Sequence, residues 1–438
     1  MKDRFIWNPY TDQPHNIVPK KERFLMHFHH LRSYLSLIKL NFKNMIPVLK
    51  RYRVLYKEIY YSPVKIDSQF AVSISPLEHQ NEEVVEKLIS LGVKNTLIRI
   101  PSWETNQLKK YFSLAEILER EGINFVIAIL QNRDDVLKPR KWREALNEII
   151  SSFYSKTDYF EIGHAWNRTK WGVWDYKEYL RLLEPAVELR EKYKEIKLVG
   201  PAVIDFEFHL IDAILNYNIF FDKVSSLLYV DSRGAPENTQ FGWDTSKKVC
   251  LFKAIVDNSK NLSKDCWITE VNWPIKGTGK YSPAAGRPNV SEEHYADYLV
   301  RYYLLCLCTG LVERIYWWQL IAPGYGLIDN RGKNWRLRPG YRAYQTMVSL
   351  LRGSAFLQRV SHPSAQFFLF KDDKGKIFTV AWTNNQLVDY IFLPKIERIV
   401  NQDGKELSLA SQRVEINSSP KYIYFDEKEI PQENIELI

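Results

Sequence analysis

Cysteine is scarce in this chain: four residues, at positions 250, 266, 306 and 308, among 438. They form no CxxC pair and no disulfide framework. Cys306 and Cys308 lie in the apolar run Arg-Tyr-Tyr-Leu-Leu-Cys-Leu-Cys and read as buried small hydrophobes. That usage fits a reducing compartment. Long hydrophobic runs are missing too, and none approaches the roughly 18 residues that span a bilayer. The polar, proline-containing stretch after Met1 does not read as a cleavable signal peptide. Cysteine and histidine do not cluster at ligand spacing, so neither a metal nor a cofactor is expected. His27, His29 and His30 read as solvated polar positions. A glycine-rich phosphate loop is also lacking after the first strand candidate, where the sequence is Val-Ser-Ile-Ser-Pro-Leu-Glu-His-Gln. This disfavours a doubly wound nucleotide-binding sheet. The Lys276–Lys280 stretch carries two glycines but no P-loop pattern, and reads as the frame of a cleft.

What is present is unevenly placed. The net charge is +9, and residues 1–65 carry all of it, with 13 Lys/Arg against 4 Asp/Glu. The remaining 373 residues hold equal numbers of each sign. A neutral body with a basic arm argues against nucleic acid as a partner, which would need a basic patch on the fold itself. Within the arm, Phe24, Phe28, Leu31, Leu35, Ile38, Phe42, Met45 and Leu49 recur at helical spacing. Arg32, Lys39, Lys43 and Lys50 flank that stripe, and Pro47 is expected to end or kink the helix. Such a helix packs its stripe on the body, lies on an anionic membrane surface, or meets a partner helix. A cytoplasmic location, peripheral at the inner face of the membrane, fits the second case.

Residues 66–350 alternate apolar strands with helical stretches. The strand candidates are Phe70–Ile74, Thr96–Ile100, Phe125–Leu130, Tyr159–Ile162, Lys197–Gly200, Val224–Tyr229, Cys266–Val271 and Arg314–Trp318. Eight strands, each followed by a helix, give an α/β fold of the (β/α)8 TIM-barrel class. Residues 351–438 are strand-rich and read as a C-terminal β-sandwich, with a hairpin turn at Asp372–Gly375.

In such a barrel, function sits at the C-terminal ends of the strands. Those ends read Ile-Arg99-Ile-Pro-Ser-Trp103, His164-Ala-Trp-Asn167, Tyr229-Val-Asp231, Glu270-Val-Asn272 and Trp317-Trp318. Barrel interiors otherwise want Val, Ile and Leu. Aromatic content is high, at 14%. Flat rings serve either a core or a sugar-binding cleft. Glu270, walled by Trp267 and Trp273 in sequence, is placed as a nucleophile or charge stabiliser, or as a salt-bridged structural carboxylate.

These segments resemble the retaining glycoside hydrolases built on (β/α)8 barrels. The closest likeness is to family-39-type β-xylosidases and to the glycosidases of bacterial exopolysaccharide gene clusters. The resemblance spans about residues 70–438. It rests on Gly92-Val-Lys-Asn-Thr-Leu-Ile-Arg99-Ile-Pro101, on Trp267-Ile-Thr-Glu270, on Gly326-Leu-Ile-Asp329 and on Pro339-Gly-Tyr341-Arg-Ala-Tyr344. It implies Glu270 as nucleophile, Tyr229 as its hydrogen-bond partner, and Trp317 or Trp318 as the floor of the sugar site. Arg99, Trp103, Asn167, Asp231 and Asn272 complete the expected sugar contacts.

One departure stands out. The family's fourth strand ends in Asn-Glu-Pro, whose Glu is the acid/base. Here His164, Ala165 and Trp166 occupy those positions. Loss of a positioned general acid costs about 10²–10⁴-fold. His164 stands as a substitute acid or as a sugar contact. Glu161, four residues earlier, lies about 13 Å down the strand and reads as a structural carboxylate paired to a cation. Asp231, Glu237 and Asp244, on the loop after the sixth strand, either reach in as a substitute acid or, the favoured reading, are solvated loop charge. Two functions follow. One is a glycosidase or transglycosidase acting on a bacterial surface polysaccharide or lipopolysaccharide glycan. The other is a degenerate glycan-binding or assembly protein on the same fold.

Overall fold

The computed structural model describes residues 5–15, 19, 21, 24, 28, 30–231, 234–283, 288–362, 364–384, 388–392, 395–409 and 413–426. Eight short Val-, Ile- and Phe-rich segments form parallel strands: β1 (Phe70–Ile74), β2 (Asn95–Pro101), β3 (Asn124–Leu130), β4 (Tyr159–Ile162), β5 (Lys197–Ile204), β6 (Lys223–Leu227), β7 (Cys266–Val271) and β8 (Arg314–Trp317). They close into one barrel in chain order, with β8 pairing β1 at Ile315 and Phe70. Both faces of a parallel barrel are covered, so the strands are near-continuous apolar runs rather than alternating ones; β3 is buried from Phe125 through Leu130. The barrel interior holds Ala71, Leu97, Val126, Ala128, Val199, Trp267 and Tyr316, packed apart from the larger core between strands and helices. The helices of the outer ring begin at side-chain caps where the sequence supplies them, as at Asp244 and Ser291.

The C-terminal part is antiparallel and sandwich-like. Its larger sheet runs Glu406–Leu407, Ile396–Asn401, Lys421–Phe425, Ile377–Thr383, Ala365–Lys371, Ala355–Ser361 and, at the edge, Val64–Lys65 from the end of the arm. Asp389–Phe392 and Arg413–Ile416 form a second, two-stranded sheet. Glu237, read in sequence as solvated, is half-buried and paired instead. It pairs with Arg301 and accepts a hydrogen bond from Trp382 Nε1 at 2.8 Å, joining the barrel to the large sheet. Asp244 caps the helix Thr245–Asn258.

In the arm, α1 (Leu31–Glu58) contains Pro47 without ending there. Pro47 lies on the exposed side, and the opposite side is tied to the body on both flanks of it. Ser33, Leu37, Val48 and Leu55 are buried, and α1 packs on the helices Phe208–Leu215 and Thr245–Asn258. Asn44 donates to Asp212 at 3.0 Å and Arg51 to Asp257 at 2.7 Å. The helix therefore docks through a face other than its apolar stripe. Phe24, Phe28, Leu31, Leu35, Ile38, Phe42 and Met45 stay exposed, Phe42 at 72%. Of the three readings of the stripe, that overturns packing on the body. His30 is also not a solvated position, since its Nδ1 lies 2.9 Å from Asp175. His27 and His29 lie outside the described residues. All four cysteines are buried and free. No described helix is long and apolar enough to cross a membrane.

Candidate functional site

A cavity of about 800 Å³ opens at the C-terminal end of the barrel. Glu270 sits at its floor on β7, 6% exposed. Tyr229 OH donates to Glu270 Oε1, and Arg99 Nη2 from β2 pairs with Glu270 Oε2. His164 Nε2 lies 3.2 Å from the same oxygen and 3.0 Å from Arg99 Nη2. The Arg99 guanidinium lies 3.3 Å from the centroid of the Trp318 ring. A desolvated cation–π contact of this kind contributes about 2 kcal/mol. Glu270 is thus a carboxylate with both oxygens held, its charge balanced by Arg99, in a pocket open to solvent on one side.

His164 is held as a neutral ring. Burial pushes its pKa well below the usual histidine range, and the charges on Arg99 and Lys170 push the same way. A neutral imidazole beside a cation is poorly suited to donate a proton as imidazolium. Its backbone is fixed by Gln131, which accepts from His164 N at 2.8 Å and donates to His164 O at 3.0 Å. The ring meets Trp171 edge to face at 4.7 Å. Ala165 is buried with Leu130, Trp171, Ala202 and Leu227, and Trp7, Trp103 and Tyr229 pack on that cluster. Where the family resemblance expects a carboxyl, this protein has packed rings.

The other sequence candidates divide. Asn167, Asp231, Asn272 and Trp318 line the cavity. Asn167 also ties β4 to β5, donating to Ile204 O at 3.0 Å and accepting from Ile204 N at 2.9 Å. Trp103 packs edge to face on Phe5 and Trp7 beside the cavity rather than in its lining. Trp317 is fully buried, stacked on Trp273 and bonded through Nε1 to Tyr295 OH at 2.6 Å. It is not brought to the cavity. Glu161 is buried under the site without a direct ion pair among the described residues, and burial raises its pKa to about 6.

The cavity also includes residues that the sequence did not single out. Thr11, Asp12 and Gln13 reach it from the N-terminal arm, and Lys170, Asp205 and Glu207 from the loops after β4 and β5. The arm residues form a hairpin, with Trp7 paired to Pro14 and Asn8 to Gln13. Its local signal is the Asn8-Pro9 turn dipeptide, but nothing local says which part of the barrel it covers. Among the described residues no three His, Cys, Asp or Glu side chains gather to hold a metal ion.

No family model and no curated protein sequence matches the chain. Solved structures do. A family 39 glycoside hydrolase from the gut symbiont Bacteroides cellulosilyticus WH2 superposes with TM-score 0.65 at 17% identity, over 82% of this chain and 81% of that one. The protein N2152 from Neocallimastix frontalis matches with TM-score 0.50 at 11% identity, over 84% and 96%. A GH113 β-1,4-mannanase matches with TM-score 0.44 at 11% identity, over 65% and 99%, too distantly to carry a conclusion. At these identities the likeness establishes the fold alone: a TIM barrel with an added C-terminal domain.

Proposed function

We propose that this protein acts on a glycosidic bond, by hydrolysis or transglycosylation, with Glu270 as the nucleophile. The observation that carries the reading is Glu270 itself: a carboxylate at the end of β7, held by Tyr229 and Arg99 at the floor of a cavity large enough for a sugar. Arg99 and Tyr229 hold and aim it. Trp318 and Trp273 form part of the apolar wall, while Asn272, Asp231, Asn167 and Lys170 supply hydrogen-bonding groups for hydroxyls. The test is trapping with 2-deoxy-2-fluoro-β-glycosyl fluorides of glucose, galactose, mannose and xylose, read by intact mass and peptide mapping. Fluoride leaves without an acid, so covalent labelling at Glu270, lost in Glu270→Gln, is the expected result. The competing reading is a glycan-binding protein without chemistry, favoured by Ala165 at the acid position. No labelling with any of the four sugars decides for it.

The substrate class we propose is a surface polysaccharide or lipopolysaccharide glycan, met at an anionic membrane. The support is the outward stripe of α1, with Arg32, Lys39, Lys43 and Lys50 along its flanks and its other face docked on the body. Exposed Leu, Ile and Phe side chains each gain about 1.5–3 kcal/mol on full burial, and each basic residue near an anionic surface contributes about 1 kcal/mol. The N-terminal end of α1 lies near the catalytic mouth, since His30 bonds Asp175 and Asn167, Thr169 and Glu207 line both the cavity and the cleft beside α1. Co-sedimentation with phosphatidylglycerol vesicles is expected, weakening in the triple variant Leu35→Ser, Ile38→Ser, Phe42→Ser. Equal partitioning of the two proteins refutes the membrane contact.

A further inference from the structure

The N-terminal hairpin is strapped across the cavity mouth. On one side, the Trp7 ring meets Trp103 at 5.3 Å and Trp171 at 6.1 Å. Gln13 accepts from Lys170 Nζ at 2.6 Å, in the loop after β4. On the other side, Gln13 Nε2 donates to Pro283 O at 3.3 Å, and Tyr10 meets Tyr281 edge to face at 5.3 Å, both in the loop after β7. Asp12 lies between these anchors, with φ of 49°. Asp and Asn are among the few residues that adopt this left-handed backbone readily. Its Oδ2 sits 3.8 Å from Arg99 Nη1, while Arg99 Nη2 holds Glu270. One guanidinium therefore carries two carboxyls, one on each nitrogen.

Resting on the reading of Glu270 as nucleophile, we infer that Asp12 is the general acid/base of this site, supplied by the arm in place of the carboxyl that Ala165 lacks. Two carboxyls held on the two nitrogens of one guanidinium are near neighbours, as the acid and nucleophile of a retaining pair, about 5 Å apart, have to be. The other acids of the cavity are engaged elsewhere. Asp205 and Glu207 both pair with Arg168 at 2.5 Å. Asp231 turns back on its own loop, accepting from Gly234 N at 3.3 Å. Burial raises the pKa of Asp12; Arg99 and Lys110 oppose that and Glu104 adds to it. An acid of this function has to hold its proton better than an ordinary aspartate.

The chemistry balances with these two groups. Glu270 carboxylate bonds to the anomeric carbon as the C–O bond to the leaving oxygen breaks. The bonding pair goes to that oxygen, which takes the proton from Asp12. Asp12 carboxylate then removes a proton from water, whose oxygen bonds to the anomeric carbon. The bond to Glu270 breaks and both carboxyls return to their starting states.

The test uses the full chain, Asp12→Asn, and paired 2,4-dinitrophenyl and phenyl β-glycosides of whichever sugar labels Glu270. Asparagine keeps the shape and the backbone preference, and continued labelling of Glu270 in the variant reports an intact site. The expected result is a loss of about 10²–10⁴-fold in kcat/KM on the phenyl glycoside. On the dinitrophenyl glycoside, kcat/KM should stay within a few-fold, with azide restoring turnover as the glycosyl azide. The alkaline limb of the pH profile should also disappear. Wild-type rates on the phenyl glycoside overturn the proposal, as do equal losses on both substrates without azide rescue. The same rescue signature in Asp231→Asn instead transfers the role to Asp231. If wild-type Glu270 is not labelled at all, the nucleophile reading fails and Asp12 falls with it; labelling with an unaffected Asp12→Asn overturns Asp12 alone.

Discussion

Glu161→Gln is expected to stabilise the protein at neutral and alkaline pH and to do nothing at low pH. Glu161 points into the barrel from β4 and is 1% exposed. Burial raises its pKa from 4.5 to about 6, while the hydroxyls of Thr269 and Ser225 and the charge on Arg99 pull it back down. The folded protein thus holds this proton more tightly than the unfolded chain. Below the unfolded value both states are protonated and the group has no effect on stability. As pH rises from 4.5 through about 6, the unfolded chain ionises first and stability falls; above that window the loss is constant. At 1.36 kcal/mol per pKa unit the loss is about 2 kcal/mol. Glutamine keeps the shape and cannot ionise, so it removes the loss. Asp135 and Asp212 are also raised to about 6 by burial, and subtracting the variant from the wild type at each pH isolates Glu161 from them. Urea unfolding followed by tryptophan fluorescence, from about pH 4.5 to about pH 8, gives the difference curve. A pH-independent difference, or a less stable glutamine variant at the alkaline end, refutes the reasoning, because it would mean that Glu161 is held charged by a cation.

Glu237→Ala strips the partner from the buried Arg301 and from the Trp382 indole. It is expected to cost about 3–5 kcal/mol, as for an orphaned buried charge, and to shift the denaturant midpoint accordingly. Gly172 has φ of 91°, and a Cβ there would overlap the backbone of Arg133 and Asn132. Gly172→Ala is expected to cost at least about 2 kcal/mol, visible as a lower Tm. The neutral His164 ring is expected to show no imidazole titration by NMR between about pH 5.5 and pH 8. A titrating ring in that window would return His164 to consideration as an acid.

Much of the barrel was legible because each strand is a short apolar run bounded by turns, and such runs set their own boundaries. Cys266–Val271 and Tyr159–Ile162 appear as read. Arg99 and Glu270 were legible for a related reason: charged residues at the ends of otherwise apolar strands stand out where a barrel wants Val and Ile. The two neighbouring tryptophans were not separable, because Trp317 is the last residue of β8 and Trp318 the first beyond it. A single residue's step sends one ring into the core and the other over Arg99. Pro47 does not end the helix for a different reason. A lost backbone hydrogen bond on the exposed side of a helix is outweighed by anchoring of the opposite side on the body.

By itself the sequence determined the barrel and its strand ends, because these depend on composition within a few residues. The tertiary structure alone decided which face of α1 meets the body. An amphipathic pattern says that a stripe exists, but burial is settled by what the neighbouring helices offer, here Asp212 and Asp257 to Asn44 and Arg51. It alone also brought Asp12 to Arg99 across 87 residues of chain. A hairpin crossing a cavity is a long-range contact, held by rings and amides whose partners lie on three separate loops, and no local periodicity encodes where it lands.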